Sequence, residues 1–199
     1  MNDVLDRVLR DLVAEGDQLE SLVSGLDDAG WHTPTPAAGW DVATQVAHLA
    51  WTDEVALAAA TDKEAWDAVV TAALGSPDPE RYVDTMALEG AAAPPVELLA
   101  HWSAGRTSLA TALRALPKGH KLPWFGPPMS AASMATARFM ETWAHGLDVT
   151  EGLGATYVPT DRILHVAHLG IRTRNFAFGV HGLEPPAEEF GVTLVSPAE

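Results

Sequence analysis

The sequence predicts an all-α protein, and three observations support that prediction. Apolar residues recur mostly at helical spacing, alanine is abundant, and runs of strand-forming residues are scarce. Hydrophobic residues make up 47% of the 199 positions and charged residues 20%, which is typical of a globular protein. A chain of this length can form one well-packed domain with a small appendage.

In the first half of the chain the pattern predicts four helices, over residues 2–27, about 42–60, 62–75 and 79–89. The first has apolar residues mainly at i, i+3 and i+4, as an amphipathic helix requires. The segment before the second helix holds two prolines, a glycine and two tryptophans, so we expect an ordered loop there. Asp41 ends that loop and is a residue type that caps helices.

In the second half we expect helices over residues 95–116, 130–152 and from Thr160 to about 178. Proline is tolerated in the first turn of the 95–116 helix, and Thr160 can cap the last one. Residues 117–128, rich in proline and glycine, read as a loop.

The last residues change in character and predict a strand over 189–195. A lone strand is not stable, so it either pairs with something outside this chain or begins a second domain, which we favour. The expected division is therefore a helical bundle over residues 1–183, followed by a linker and strand over 184–199.

Charge and composition exclude several classes of function. The formal net charge is −15, and the 12 basic residues form no cluster, which argues against nucleic acid and anionic membranes as partners. No apolar run of about 18 residues and no signal peptide is evident, so a cytoplasmic location is the default. The chain has no cysteine, so any thiol used in chemistry must come from a ligand.

Three residues from distant segments look like the ligands of a metal ion. Glu141 and His145 are four residues apart, so on a helix they project from the same face. His48 lies in another apolar helix and can complete the set. Taken singly, each is an ordinary helix residue, and a buried histidine usually has only a hydrogen-bond partner. Their apolar neighbours favour the metal, because a shared ion would satisfy all three buried polar groups at once.

Two imidazoles and one carboxylate leave a divalent ion with open coordination, which is typical of a catalytic site. We expect Zn²⁺, while Fe²⁺, Mn²⁺, Co²⁺ or Ni²⁺ also suit this donor set.

Two charged residues on the helix of Glu141 are candidate catalytic residues. Asp148 either orients an imidazole or acts as a weak fourth ligand; otherwise it is a surface residue near the helix end. Arg138, one turn before Glu141, either binds a substrate carboxylate or pairs with Glu141 itself.

Three further residues are candidates for binding a cofactor. Thr52 shares the face of His48, and Trp51 lies at its edge. Trp124 belongs to an apolar loop that would cover the mouth of the site. Asp53 is rotated away from His48, so helical periodicity gives it no place at the metal.

These segments resemble the DinB-like superfamily, in particular its mycothiol-dependent maleylpyruvate isomerase N-terminal branch and an actinobacterial metal-binding subgroup of it. The similarity covers most of residues 1–183. The matching segments are Gly39-Trp40-Asp41, Val46-Ala47-His48-Leu49-Ala50, Trp124-Phe125-Gly126-Pro127-Pro128-Met129-Ser130, and Arg138 with Met140-Glu141-Thr142-Trp143-Ala144-His145-Gly146.

The resemblance implies a bundle of four main helices with additional short helices, and a metal held by His48, Glu141 and His145. It also implies mycothiol as a cosubstrate, and a second α+β domain after the bundle, which would account for the strand at 189–195. An aspartate of the family matches Asp53, without a role that the helical phase explains.

The leading functional hypothesis is a metal-dependent enzyme that uses a low-molecular-weight thiol. It would isomerise a small electrophilic substrate or transfer sulfur to it. One alternative is a metal-water enzyme, acting as a hydrolase or Lewis acid on a small metabolite. Another is a non-catalytic metal-binding helical module, and a homodimer is compatible with each of these.

Overall fold

The computed structural model describes residues 3–196, which are predominantly helical. Two short 3₁₀ turns, Pro79–Arg81 and Asp161–Ile163, precede the fifth and eighth helices. The all-α fold class is therefore confirmed. The helices are α1 (Asp3–Val23), α2 (Asp28–Trp31), α3 (Val42–Thr61), α4 (Lys63–Gly75), α5 (Tyr82–Gly90), α6 (Pro95–Ala115), α7 (Ala131–Gly152) and α8 (Leu164–Val180).

The chain divides into two compact units, Met1–Tyr157 and Val158–Glu199. The first contains α1 to α7, and the second contains α8 and the segment after it. The boundary expected between residues 183 and 184 falls inside the second unit, and the domain division made from the sequence stays a prediction. Among the described helices, none combines the length and apolar character that a bilayer span needs.

Four long helices form the bundle of the first unit. Helix α3 packs against α6 and α7, and α1 packs against the same two helices. The shorter α4 and α5 lie against α3. The bundle places α3 beside α7, which is the arrangement that a ligand set drawn from both helices requires.

Helix α3 is buried along most of its length, and its buried residues are polar as well as apolar. Val46 and Leu49 belong to the apolar core, while Gln45, His48 and Asp53 are also buried. A helix that is buried nearly all round lies at the centre of its fold. The three polar side chains must then find partners inside the bundle, because an unpaired buried polar group is costly.

The loop before α3 ends in the predicted cap. The Asp41 carboxylate accepts hydrogen bonds from the Thr44 backbone N–H at 2.8 Å and from its hydroxyl at 2.7 Å. Just before it, the Trp40 N–H donates to the Ala37 carbonyl at 3.0 Å, closing a turn around Gly39. Gly39 has φ +80°, a conformation that strongly favours glycine, and it thereby brings Trp40 to the start of α3.

The strand predicted at 189–195 is not present. Within the described part of the chain this segment forms neither a strand nor a β-bridge. A β-strand requires a neighbouring strand to pair with, so apolar alternation alone is insufficient. The two strands of the described residues, β1 (Lys121–Leu122) and β2 (Met129–Ser130), instead form a short antiparallel pair that closes the loop before α7.

Two further helix ends differ from expectation. The predicted 2–27 helix ends at Val23 and is followed by the separate turn α2. Thr160 precedes the last helical segment, but its side chain makes no capping hydrogen bond, and a 3₁₀ turn leads into α8.

Candidate metal centre

The structure brings His48, Glu141 and His145 together. One donor atom from each lies within 4.8 Å of the other two. His48 Nε2 is 3.4 Å from Glu141 Oε2, and His145 Nε2 is 3.2 Å from the same oxygen. Helix α3 supplies His48, while α7 supplies the other two residues one turn apart, as the i, i+4 spacing predicted.

These separations fit a shared cation. With zinc–ligand distances of about 2.0–2.1 Å, tetrahedral geometry places neighbouring donors roughly 3.3 Å apart. Both nitrogen–oxygen distances lie close to that value. They are longer than the charge-assisted hydrogen bonds of about 2.7–2.9 Å that an imidazolium and a carboxylate would form on their own. The residues present therefore fit a divalent ion.

The site is exposed to solvent on one side, and an aromatic ring packs against it on another. The side chains of His48, His145 and Glu141 are 9%, 18% and 31% exposed, so solvent reaches the carboxylate. The Trp40 ring lies 5.3 Å from the His48 ring and 5.8 Å from the His145 ring, almost parallel to the latter at 14°. Part of the donor set is therefore accessible to solvent, which would not hold in a sealed structural site.

The local electrostatics favour the ligating forms of two of the three side chains. Burial lowers the pKa of His48 against the opposing effect of Glu141, so its imidazole is neutral at neutral pH. For Glu141, burial alone would raise the pKa, but hydrogen bonds from His145 and His48 and the charge of Arg138 hold it well below its usual range. A neutral imidazole and an ionised carboxylate are the forms that bind metal.

These shifts predict how acid affects the metal-free protein. The pKa of His48 is below its ordinary value of 6.5 in the folded state, so the unfolded chain binds more protons below that pH. We expect the free energy of unfolding to fall on acidification through this range, relative to a His48→Gln variant. Urea denaturation in chelator at several pH values measures this difference. A difference that does not change with pH would contradict the prediction.

Arg138, which the sequence predicted as catalytic, is buried and forms ion pairs with two carboxylates. Its Nε lies 3.8 Å from Asp53 Oδ1, and its Nη2 lies 3.8 Å from Glu141 Oε2. Asp53 is itself buried, and burial raises its pKa to about 6 even against the positive charge of Arg138. Arg138 thus links a core aspartate to a metal-ligand candidate, and of its two expected partners the structure shows Glu141.

Asp148, the other candidate catalytic residue, reaches the site through Gln45. Its Oδ2 accepts a hydrogen bond from Gln45 Nε2 at 3.1 Å, and Gln45 Oε1 accepts one from His145 Nδ1. The Gln45 side chain therefore lies between the Asp148 carboxylate and the His145 imidazole. This placement favours the orienting role over that of a fourth ligand.

The three cofactor-binding candidates lie in different surroundings. Thr52 donates to the His48 backbone carbonyl at 2.8 Å, within α3. Trp51 contacts Tyr82 edge-on, and Trp124 stacks on the Trp66 ring of α4 at 5.9 Å. Their role in binding a thiol stays a prediction. The described ring contacts of Trp51 and Trp124 are with residues other than the three ligand candidates, and Thr52 contacts His48 through its backbone carbonyl.

Two residues of the site were not assigned a role from the sequence. Trp40 stands in the Gly39-Trp40-Asp41 segment, and its ring contacts both imidazoles. Gln45 lies three residues before His48 on the same helix face and is fully buried. A glutamine on the buried face of an apolar helix is itself a signal, because its amide needs several partners.

The fold and site define a helical-bundle protein with an open donor set of two histidines and one glutamate. The family model described as Mycothiol maleylpyruvate isomerase N-terminal domain matches residues 12–150. The chain belongs to this family, as the resemblance of its motifs indicated.

Two curated proteins are similar to this chain in sequence, and two solved structures are similar to it in fold. Two proteins from two strains of Mycobacterium tuberculosis, named Uncharacterized protein MT0041 and Uncharacterized protein Rv0036c, are each 53% identical over 188 residues, covering 94% of this chain and 72% of theirs. The crystal structure of the mycothiol-dependent maleylpyruvate isomerase shares the fold, with a TM-score of 0.67 at 19% identity over 90% of this chain and 72% of that one. A histidine-to-alanine mutant of that enzyme gives a TM-score of 0.66 at 17% identity, with the same coverage.

Proposed function

We propose that this protein is a metal-dependent enzyme that uses a low-molecular-weight thiol, mycothiol, to isomerise a small electrophilic substrate or transfer sulfur to it. The observation that carries the proposal is the convergence of His48, Glu141 and His145 on one point that solvent can reach. Membership of a family described by mycothiol and maleylpyruvate isomerase supports the choice of thiol and reaction.

His48, Glu141 and His145 would hold the ion, and Zn²⁺ is the ion we propose for two nitrogens and one oxygen. When bound, the cation would supply the positive charge that lowers the pKa of a coordinated thiol. The chain has no cysteine, so that thiol must belong to a cosubstrate.

The protein's own residues prepare the site in three ways. Glu141 remains ionised, so it contributes negative charge to the ion. Arg138 lies 3.8 Å from that carboxylate and is itself paired with Asp53, which makes Arg138 a positioning residue in our proposal. Trp40 covers the two imidazoles on one side and keeps water from that face.

The proposed reaction needs no other nucleophile. The thiolate sulfur adds to an electrophilic carbon of a conjugated double bond, and the π electrons move to the activating carbonyl. Rotation about the resulting single bond followed by release of the thiolate gives cis–trans isomerisation. Protonation of the adduct with retention of sulfur gives S-transfer instead.

The test begins with metal analysis of protein purified without an affinity tag. We expect close to one zinc per chain, greater thermal stabilisation by mycothiol than by an unrelated thiol, and maleylpyruvate turnover that requires mycothiol. Protein that binds no divalent ion would overturn the metal site. Metal-loaded protein that mycothiol neither stabilises nor activates would overturn the thiol chemistry.

A further inference from the structure

Gln45 stands at the centre of a hydrogen-bond network behind the metal-ligand candidates. Its side chain is fully buried on α3. Its Nε2 lies 2.8 Å from Thr35 Oγ1 and 3.1 Å from Asp148 Oδ2, while its Oε1 faces His145 Nδ1. The amide thus joins the loop before α3, the end of α7 and one ligand imidazole.

The chemistry of the two outer partners determines which way this amide points. An ionised aspartate accepts hydrogen bonds and cannot donate one, so Asp148 requires the NH₂ group of Gln45 on its side. The Thr35 hydroxyl donates its own proton to the Trp40 carbonyl at 3.1 Å, so its oxygen must accept from Gln45. Both partners therefore leave the Gln45 carbonyl oxygen facing His145.

A carbonyl oxygen facing Nδ1 in turn places a proton on that nitrogen of His145. Nδ1 must carry a proton in order to donate to Gln45, so Nε2, which lies 3.2 Å from Glu141 Oε2, is the nitrogen left to bind the ion. His48 differs, because its buried Nδ1 has no hydrogen-bond partner among the described residues. The network therefore acts on one of the two imidazoles.

The surrounding backbone holds the loop close enough for this contact. A Cβ atom at Gly152, the last residue of α7, would lie only 2.8 Å from the Pro34 carbonyl oxygen and 3.3 Å from Thr35 Cα. Glycine at this position therefore permits the loop to approach α7. The Trp40 ring then stacks on the His145 ring and limits its rotation.

We infer that Thr35, Gln45 and Asp148 form a relay that holds a proton on His145 Nδ1 and so leaves Nε2 as the nitrogen that binds the metal. Gln45 is a positioning residue in this relay. The inference rests on the proposed metal site for its functional meaning, but the proton on Nδ1 can be observed in the metal-free protein.

The first test is therefore made without metal. Long-range proton–nitrogen NMR spectra of isotope-labelled, chelator-treated protein show which ring nitrogens of each histidine carry a proton. We expect a proton on Nδ1 of His145 in the wild-type protein. In Gln45→Leu this nitrogen loses its acceptor, so the Nε2–H form, whose proton donates to Glu141, becomes populated.

Two conservative variants distinguish an effect of the Gln45 amide orientation from an effect on folding. Thr35→Val and Asp148→Asn each leave one partner that directs the Gln45 amide, so each alone should retain the Nδ1–H form. The double variant leaves no partner that must accept, and the new side-chain amide at position 148 can donate to a flipped Gln45. The Nε2–H form should then appear in the double variant, and we expect zinc affinity to fall about tenfold to a hundredfold.

Thr107→Val on α6 is the control, because this exposed hydroxyl donates to the Ser103 carbonyl of its own helix, and it should leave the His145 protonation and zinc affinity unchanged. Thermal unfolding checks that each variant is folded. A His145 that keeps the Nδ1–H form in both Gln45→Leu and the double variant would overturn the relay. Wild-type protein that shows the expected tautomers but binds no zinc would support the relay and overturn the proposed metal site.

Discussion

Replacing His145 with alanine should reduce zinc affinity by at least roughly a hundredfold, which exceeds the usual effect of losing a residue that only supports a ligand. His48→Ala should have a comparable effect. Each change removes one of three protein donors, and two donors cannot hold the ion in the geometry that the 3.2 and 3.4 Å separations define. Competition titration of metal-free protein with a zinc-binding dye measures the affinity directly.

Two further variants make this result specific. Glu141→Gln keeps the size of the side chain but removes its charge, so we expect a large loss of affinity with little change in packing. His101→Ala is the matched histidine control, because this side chain is 56% exposed on α6 and pairs with Glu54. Affinity that survives both His48→Ala and His145→Ala would mean that zinc binds elsewhere. The proposed centre would then be rejected.

Replacing Arg138 with methionine should destabilise the metal-free fold by about 3–5 kcal/mol, the usual cost of leaving one member of a buried ion pair unpaired. The Arg138 and Asp53 side chains are only 4% and 5% exposed, so water cannot replace the lost partner. Urea denaturation in chelator gives the free energy of unfolding. Arg114→Met is the control, since this arginine is 52% exposed in its ion pair with Asp6 and should cost about 0–1 kcal/mol.

The Arg138→Met effect should also depend on pH. The pKa of Asp53 is about 6 with Arg138 present, against an ordinary value of 3.8, and removing the cation raises it further. The folded state then holds a proton that the unfolded chain releases, so stability falls as the pH rises through this range. We expect greater destabilisation in mildly alkaline than in mildly acidic buffer.

A second substitution tests the same explanation. Adding Asp53→Asn to Arg138→Met removes the unpaired charge, so it should recover much of the lost stability and most of the pH dependence. If the double variant is no more stable than Arg138→Met alone, the unpaired aspartate is not the cause of the destabilisation.

Local patterns predicted most of the fold. Helical periodicity predicted the four long helices because each buries an apolar face. Asp41 indicated where α3 begins, because an aspartate side chain can cap the first turn of a helix. Apolar alternation at 189–195 predicted a strand wrongly, since it cannot indicate whether a neighbouring strand is present.

The role of Asp53 shows where periodicity reaches its limit. Five residues after His48, it points about 140° away around α3, so it has no direct place beside the ligands. It is nevertheless connected to Glu141, because the long Arg138 side chain from α7 lies between the two carboxylates. Helical phase describes one helix, whereas this link depends on how α3 and α7 pack together.

By itself, the sequence determined that the chain is acidic, helical and free of cysteine. It also indicated His48, Glu141 and His145 as metal ligands, because helical spacing places Glu141 and His145 on one face. Only the tertiary structure decided that α3 and α7 lie side by side, that Trp40 stacks on the His145 imidazole, and that Gln45 faces His145. Those contacts join residues far apart in the chain. Their geometry follows from helix packing and hydrogen-bond direction, which no local pattern encodes.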